Sequence, residues 1–361
     1  MRRGLGCVNR ARAARLGAAG GMFGLAGAMR LVMVAFALLG PIAVSGGAQS
    51  AQWPGEWVSP AERDHPLAGR IYDVKAGAFI SPTDYIAALS KATHVLLGEI
   101  HDNGDHHRLQ GWVVSRLGGG ARAVVFEQFR ADQQSILNGF MAGLDAAGET
   151  TAAQVEKLFL ATGWARSGWP EKGLYAPLMA AVVSARMAML AGNPPRQRVM
   201  EVARQGLDAI SADARGRLLL DRELGAALDE ALLEELEASH CGLMPKSAFG
   251  NMAKAQRFRD GYMARVMADA AIGEQKSVLI AGNGHVRRDR GVPWYLARMA
   301  KAEDGGGIAV VGHVEVDPGR SRAADYSVAG TYDYIVFTPV AAREDPCEKM
   351  RARFKGRTKS R

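Results

Sequence analysis

The chain has 361 residues, 48% hydrophobic and 23% charged, a composition that excludes a low-complexity or collagen-like chain and is long enough for a large buried core. The formal charge of +8 sits at the ends: residues 1–50 hold six arginines and no acid, residues 349–361 hold seven cations and no acid, and residues 51–348 are left at −5. A mildly acidic body removes the case for nucleic-acid binding that the overall pI would make.

Arg30 precedes an apolar stretch from Leu31 to Val44, followed by small residues from Ser45 to Ala51. Positive flank, short apolar core and small-residue region are the parts of a secretory signal. The stretch is about 14 residues, short of the roughly 20 needed to span a bilayer. Residues 1–50 are therefore expected to be a leader, with Met29 as an alternative start. The mature chain is expected to be exported and periplasmic, with membrane anchoring the lesser alternative. No Cys follows the apolar core, so no lipid-attachment signal is present there. The mature chain keeps Cys241 and Cys347, which can pair in an oxidising compartment if their Cα atoms come close enough. No Cys-x-x-Cys motif occurs to hold structural zinc or a c-type haem.

In chain order, residues 52–80 read as an extended lead-in. Ser81 and Pro82 start a helix to about residue 90, as N-cap and first helical residue. Residues 93–98 form a strand, 105–117 a helix ended by Gly118-Gly119-Gly120, and 122–127 a strand ending on Glu127. Residues 131–270 are mostly helical, interrupted by a strand at 187–191 that ends at Asn193-Pro194-Pro195. Strand 277–281, helix 293–301, strand 307–316 and strand 333–339 complete the pattern. Alternating strands and helices predict an α/β fold, a mostly parallel central sheet flanked by helices, with a large helical insertion at about 200–270. A single domain is expected over 55–345, and a basic disordered tail over 346–361 that offers weak contact with anionic lipid.

Two Gly-x-x-His tetrads carry the chemistry. Gly98-Glu99-Ile100-His101 and Gly282-Asn283-Gly284-His285 each follow a short apolar strand. Ligands of open α/β sheets collect outside the carboxyl ends of the strands, so two such ends point to one shared site. Glu99 and His101 are two residues apart and face the same side if the backbone stays extended. Asp102 is placed to orient the His101 ring. Of His106 and His107, adjacent on the next helix, one at most points at the site. Glu127 either joins the site or caps a neighbour. Arg287, Arg288 and Arg290 either receive an anion or are a solvated loop. Glu99, His101, Glu127 and His285 form a set of two carboxylates and two imidazoles. It suits a divalent ion such as zinc, manganese or iron, or acid–base catalysis.

These residues resemble a known family. Val95-Leu96-Leu97-Gly98-Glu99-Ile100-His101-Asp102, Gln110, Val124-Val125-Phe126-Glu127, Tyr175-Ala176-Pro177-Leu178 and Asn193-Pro194-Pro195-Arg196 match in order. Gly206-Leu207, Gln256, Arg259-Asp260, Met263-Ala264, Gly282-Asn283-Gly284-His285 and Gly291-Val292-Pro293 continue the match, over roughly 85–297. Together they resemble the ChaN-like haem-binding uptake family of the Tiki superfamily. The resemblance implies an exported haem- or iron-complex-binding protein serving iron uptake, some members being homodimers that sandwich haem with tyrosine on the iron. Tyr175 is the first choice for that ligand and Tyr262 the second, with Arg259, Arg166 or Lys254 for the propionates and Trp164, Trp169 and Met179 lining a slot. The wider superfamily implies an alternative, a metal-dependent hydrolase in which Glu99, His101, Glu127 and His285 serve as ligands and acid–base groups. A partner-binding protein without catalysis is the third reading.

Overall fold

The computed structural model describes residues 53, 55–118, 122–144, 148–271, 275–299, 307–326 and 330–358. Residues 1–50, expected to be a leader, and the last three residues lie outside them. Residues 51–361 form one compact unit.

An eight-stranded sheet organises this unit, in the order β2-β1-β8-β7-β3-β6-β4-β5. β3 (His94–Glu99), β4 (Arg122–Arg130), β5 (Ala188–Asn193), β6 (Lys276–Gly282), β7 (Ile308–Glu315) and β8 (Tyr334–Thr338) run parallel to one another. β1 (Ile71–Asp73) and β2 (Ala78–Ile80) add an antiparallel edge within the expected lead-in. At three residues each, they are too short to show a period in sequence.

Both faces of the sheet are buried, as a parallel sheet requires. Along β3 the side chains alternate. Val95 and Leu97 join one apolar cluster, and Leu96 joins the other. The first cluster packs under α1 (Pro82–Lys91), α2 (Gly104–Arg116), α3 (Gln134–Gly143), α4 (Thr151–Ala161) and α5 (Lys172–Ser184). The second packs under α6 (Arg196–Gln205), α7 (Ala212–Arg217), α8 (Ala226–Ser239), α9 (Lys246–Ala270) and α10 (Val292–Met299). Four of these, α6 to α9, fall between β5 and β6 and form the helical insertion. α1 starts as its sequence dictates: Ser81 caps it by accepting from the Asp84 N–H, with Pro82 in the first turn.

Two expectations are corrected. The mostly helical stretch expected over 131–270 is broken ahead of α8, which starts only at Ala226 after Gly225 at positive φ. The tail is not disordered through its described part. It forms α11 (Pro346–Thr358), begun by Pro346 and built of helix-forming Glu, Lys, Arg and Met. Cys347 of this helix is bonded to Cys241, their Cα atoms 5.5 Å apart.

Candidate functional site

β3 and β6 are immediate neighbours, with Glu99 in register with Gly282. Both Gly-x-x-His turns therefore leave the sheet side by side at its carboxyl end. Beyond β3, the Asn283 N–H donates to the Glu99 carbonyl. Gly98 has no room for a side chain: a Cβ there would lie 2.2 Å from Asn283 Oδ1 and 2.7 Å from Val286 Cγ2. Close backbone approach, not unusual φ, explains this glycine.

β4 contributes next. Its pairing with β6 stops at Phe126, so Glu127 and Gln128 extend past the ladder and turn to opposite sides. Gln128 reaches Glu99, donating from Nε2 to Oε1 at 2.8 Å. Glu127 turns towards α9 and His285.

The side chains form one continuous chain of contacts. The Tyr175 hydroxyl donates to Glu99 Oε1 at 2.6 Å, and His101 Nδ1 lies 2.9 Å from the same oxygen. His101 Nε2 lies 4.0 Å from Glu127 Oε2. Glu127 accepts from Arg259 and, through Oε2 at 2.7 Å, from the Gly282 N–H. His285 Nε2 lies 3.3 Å from Glu127 Oε1, and its Nδ1 lies 2.5 Å from Asp260. So imidazoles that stand far apart in sequence flank one carboxylate.

Burial and charge set the protonation of this chain. Burial alone would raise Glu99, but His107 at 3.6 Å and bonded His101 outweigh it and hold the carboxyl below its usual range. Glu127 is likewise held well below that range, by His285, Arg259 and His101 acting against burial. Burial alone would lower the imidazoles. Glu127 and Asp260 instead push His285 up to about 9, and Glu127 and Glu99 raise His101. Burial raises Asp260, with His285 working against it, and burial beside Glu99 pushes the Tyr175 phenol well up. Two anionic carboxylates thus alternate with cationic partners, which is what lets so many ionisable groups share a buried site. Of the four predicted residues, His101 is the most open, its side chain 38% exposed and its ring edge against Trp169 at 4.8 Å.

Several predicted roles change. Asp102 does not hold His101; it pairs with Arg343, and Glu99 takes the orienting place. Arg287, Arg288 and Arg290 are engaged by Asp289, Asp333 and Glu235, so none is left waiting for an anion. Tyr175 is wholly buried, stacked on His107 with ring centres 3.7 Å apart, and its hydroxyl serves Glu99. In that position it cannot meet a bound iron. Trp164 and Met179 are core residues, while Arg166 and Lys254 are exposed away from any slot described below. Only one of the adjacent histidines faces the site: His107 turns to Glu99, while His106 contacts the Ile100 N–H and Thr338. Among the described residues no three His, Cys, Asp or Glu side chains are placed to share a metal ion. Glu99 Oε1 is spent on Tyr175, Gln128 and His101, and Glu127 on Arg259 and a backbone N–H, while Glu99 Oε2 is buried with no hydrogen-bond partner.

One hollow adjoins this chain of contacts, and a second lies beyond the first. One, about 420 Å³, is lined by Gln128, Arg130, Trp169, Asn193, Arg196 and Arg259, among others. The other, about 610 Å³, lies between α6, α7 and α9 and is walled by Ile210, Leu218, Phe258, Tyr262 and Val266, with Arg198, Arg217 and Arg265. Tyr262 is half-buried there, its phenol raised by burial.

Residues 85–296 match the family model described as haem-binding uptake, Tiki superfamily, ChaN. The chain belongs to this family. Among solved structures it is similar to ChaN of Campylobacter jejuni, described as binding haem cofacially. That chain is 20% identical with a TM-score of 0.56, over 74% of this chain and 95% of that one. At that identity the likeness shows the fold, the α/β sheet with its helical layers. The type III effector HopBA1 is more remote, at 11% identity and a TM-score of 0.37 over 71% of this chain and 91% of that one, and carries no argument. No curated protein matches the sequence. Among ChaN-family features of this chain, Asp260, Gln256 and Asn193 were matched in sequence without a role. Asp260 holds His285 Nδ1 with Gln256 beside the same ring edge, and Asn193 bridges Arg259 to the Glu127 carbonyl. Gln128 carried no signal of its own beyond standing next to Glu127, and the sequence left open which of His106 and His107 faces the site.

Proposed function

We propose that the protein binds haem in the slot beside Tyr262 and serves iron uptake as an exported protein. The observation that carries this reading is the slot itself: an apolar cleft of about 610 Å³ with one phenol and three arginines in its wall, in a chain of a haem-binding family. Haem asks for an apolar slot, an axial ligand and cations for its propionates, and this donor set fits all three. Tyr262 would hold the iron. Arg198, Arg217 and Arg265 now pair with exposed or half-exposed acids, and such weak pairs exchange readily for a propionate. Bound haem would supply iron as cargo. Burial raises the Tyr262 phenol, so Tyr262 would have to give up its proton to serve as a ligand, and haem binding would weaken in acid.

The cofacial haem of the Campylobacter jejuni relative supports a further step, in which two copies of this chain face each other across paired haems. Export is supported by the signal-like pattern of Arg30, the apolar stretch from Leu31 to Val44 and the small residues after it, and by the Cys241–Cys347 bond, which persists in an oxidising compartment. Among the described residues no helix is long and apolar enough to cross a membrane.

Titration of hemin into the protein tests the reading. A saturable Soret change is expected, lost in Tyr262→Phe and kept in Tyr175→Phe. A wild-type titration with no saturable spectral change removes the proposal.

A further inference from the structure

The smaller hollow holds a feature the haem slot does not use. It opens over the ends of β4 and β5 and meets the Tyr262 slot only at Pro194. Three arginines from separate segments line it: Arg130 at the end of β4, Arg196 at the start of α6 and Arg259 within α9.

Their charges are not equally spent. Arg259 is committed to buried Glu127 and to Asn193. Arg130 meets Asp132, at 3.3 and 3.4 Å and in the open, where an ion pair holds little. Arg196 has no hydrogen bond or ion pair among the described residues. The carboxylates Glu99 and Glu127 are already matched by His101, His285 and Arg259, so at the mouth of the cavity Arg196 is unspent charge and Arg130 is held only by its weak pair with Asp132.

Two further features favour an anion there. α6 is 10 residues long and its N-cap, Pro195, gives no side-chain acceptor, so its first-turn N–H groups lack a capping partner at the same mouth. Opposite lies Trp169, half-buried, its indole N–H fixed on the Gln128 carbonyl at 3.0 Å, so the ring is a held apolar wall. Pro194 and Val199 continue that wall.

We propose that this cavity binds a small organic anion, a carboxylate or phosphate monoester on a flat apolar body, at a site separate from the haem. The oxyanion sits between Arg130 and Arg196, and the body lies against Trp169. About 420 Å³ is within the range of small-molecule sites.

The test titrates phenyl phosphate, benzoate and neutral benzyl alcohol into the full chain by calorimetry. At least one anion is expected to bind saturably and more tightly than benzyl alcohol, and the tighter of the two names the headgroup. Arg196→Gln removes an exposed side chain and leaves the core intact. It is expected to weaken that anion about tenfold or more, the worth of a charge-assisted hydrogen bond, with hemin titration unchanged. Anion binding no tighter than that of benzyl alcohol overturns the proposal. So does Arg196→Gln binding with wild-type affinity, or hemin displacing the anion mole for mole. Loss of the Soret change alone leaves the anion result standing and speaks only to the haem reading.

Discussion

His285 makes the stability of this protein fall as pH rises from neutral. Burial alone would lower the pKa of its ring, but Glu127 at 3.3 Å and Asp260 at 2.5 Å push it up to about 9 from the ordinary 6.5. A group whose folded pKa lies above its unfolded one contributes stability in full below the unfolded value, and that stability is lost as pH climbs through the folded value. The window is therefore pH 6.5 to about 9. At about 1.4 kcal/mol per pH unit, the loss is about 3 kcal/mol. His101 is raised as well and adds in the same direction. Buried tyrosines such as Tyr295 titrate only higher, so a scan stopped at about 9.5 isolates the imidazoles. Urea unfolding at half-unit pH steps gives the curve. His285→Gln should be less stable than wild type at pH 6.5 and distinctly flatter across the scan. A variant with the wild-type slope would refute the reasoning, because the titration would then belong elsewhere.

Tyr175→Phe should cost about 1.5–3 kcal/mol in urea unfolding, the worth of a hydrogen bond to a charged acceptor, since Glu99 keeps His101 and Gln128. Replacing Cys241 and Cys347 together by Ser should cost about 4–5 kcal/mol by the loop-closure relation for a separation of 106 residues, read as a lower urea midpoint. Wild type under reducing agent should reproduce that loss.

Much of the sheet was legible because each parallel strand is an apolar run ended by a Gly, Glu or Asn-Pro signal, as at Gly98, Glu127 and Asn193-Pro194. What escaped was short or depended on distant partners. β1 and β2 have too few residues for a pattern, and α11 was hidden by its run of cations, although Pro346 and its Glu, Lys, Arg and Met favour a helix. At the site, the meeting of His101 and His285 followed from strand ends alone. Their orienters did not: Asp102 stands next to His101 in sequence, yet strand alternation gives the ring to Glu99 and sends Asp102 to Arg343. Tyr175 illustrates the same limit. An aromatic residue beside Ala-Pro reads equally as ligand or core, and only packing against His107 decides for the core.

The most direct measurement of the central claim is iron-edge anomalous diffraction from crystals of the hemin complex. The account predicts an iron peak at coordination distance from the Tyr262 hydroxyl, with the propionates towards Arg198, Arg217 or Arg265. An iron peak beside His101 or Tyr175, with the Tyr262 slot empty, would contradict it.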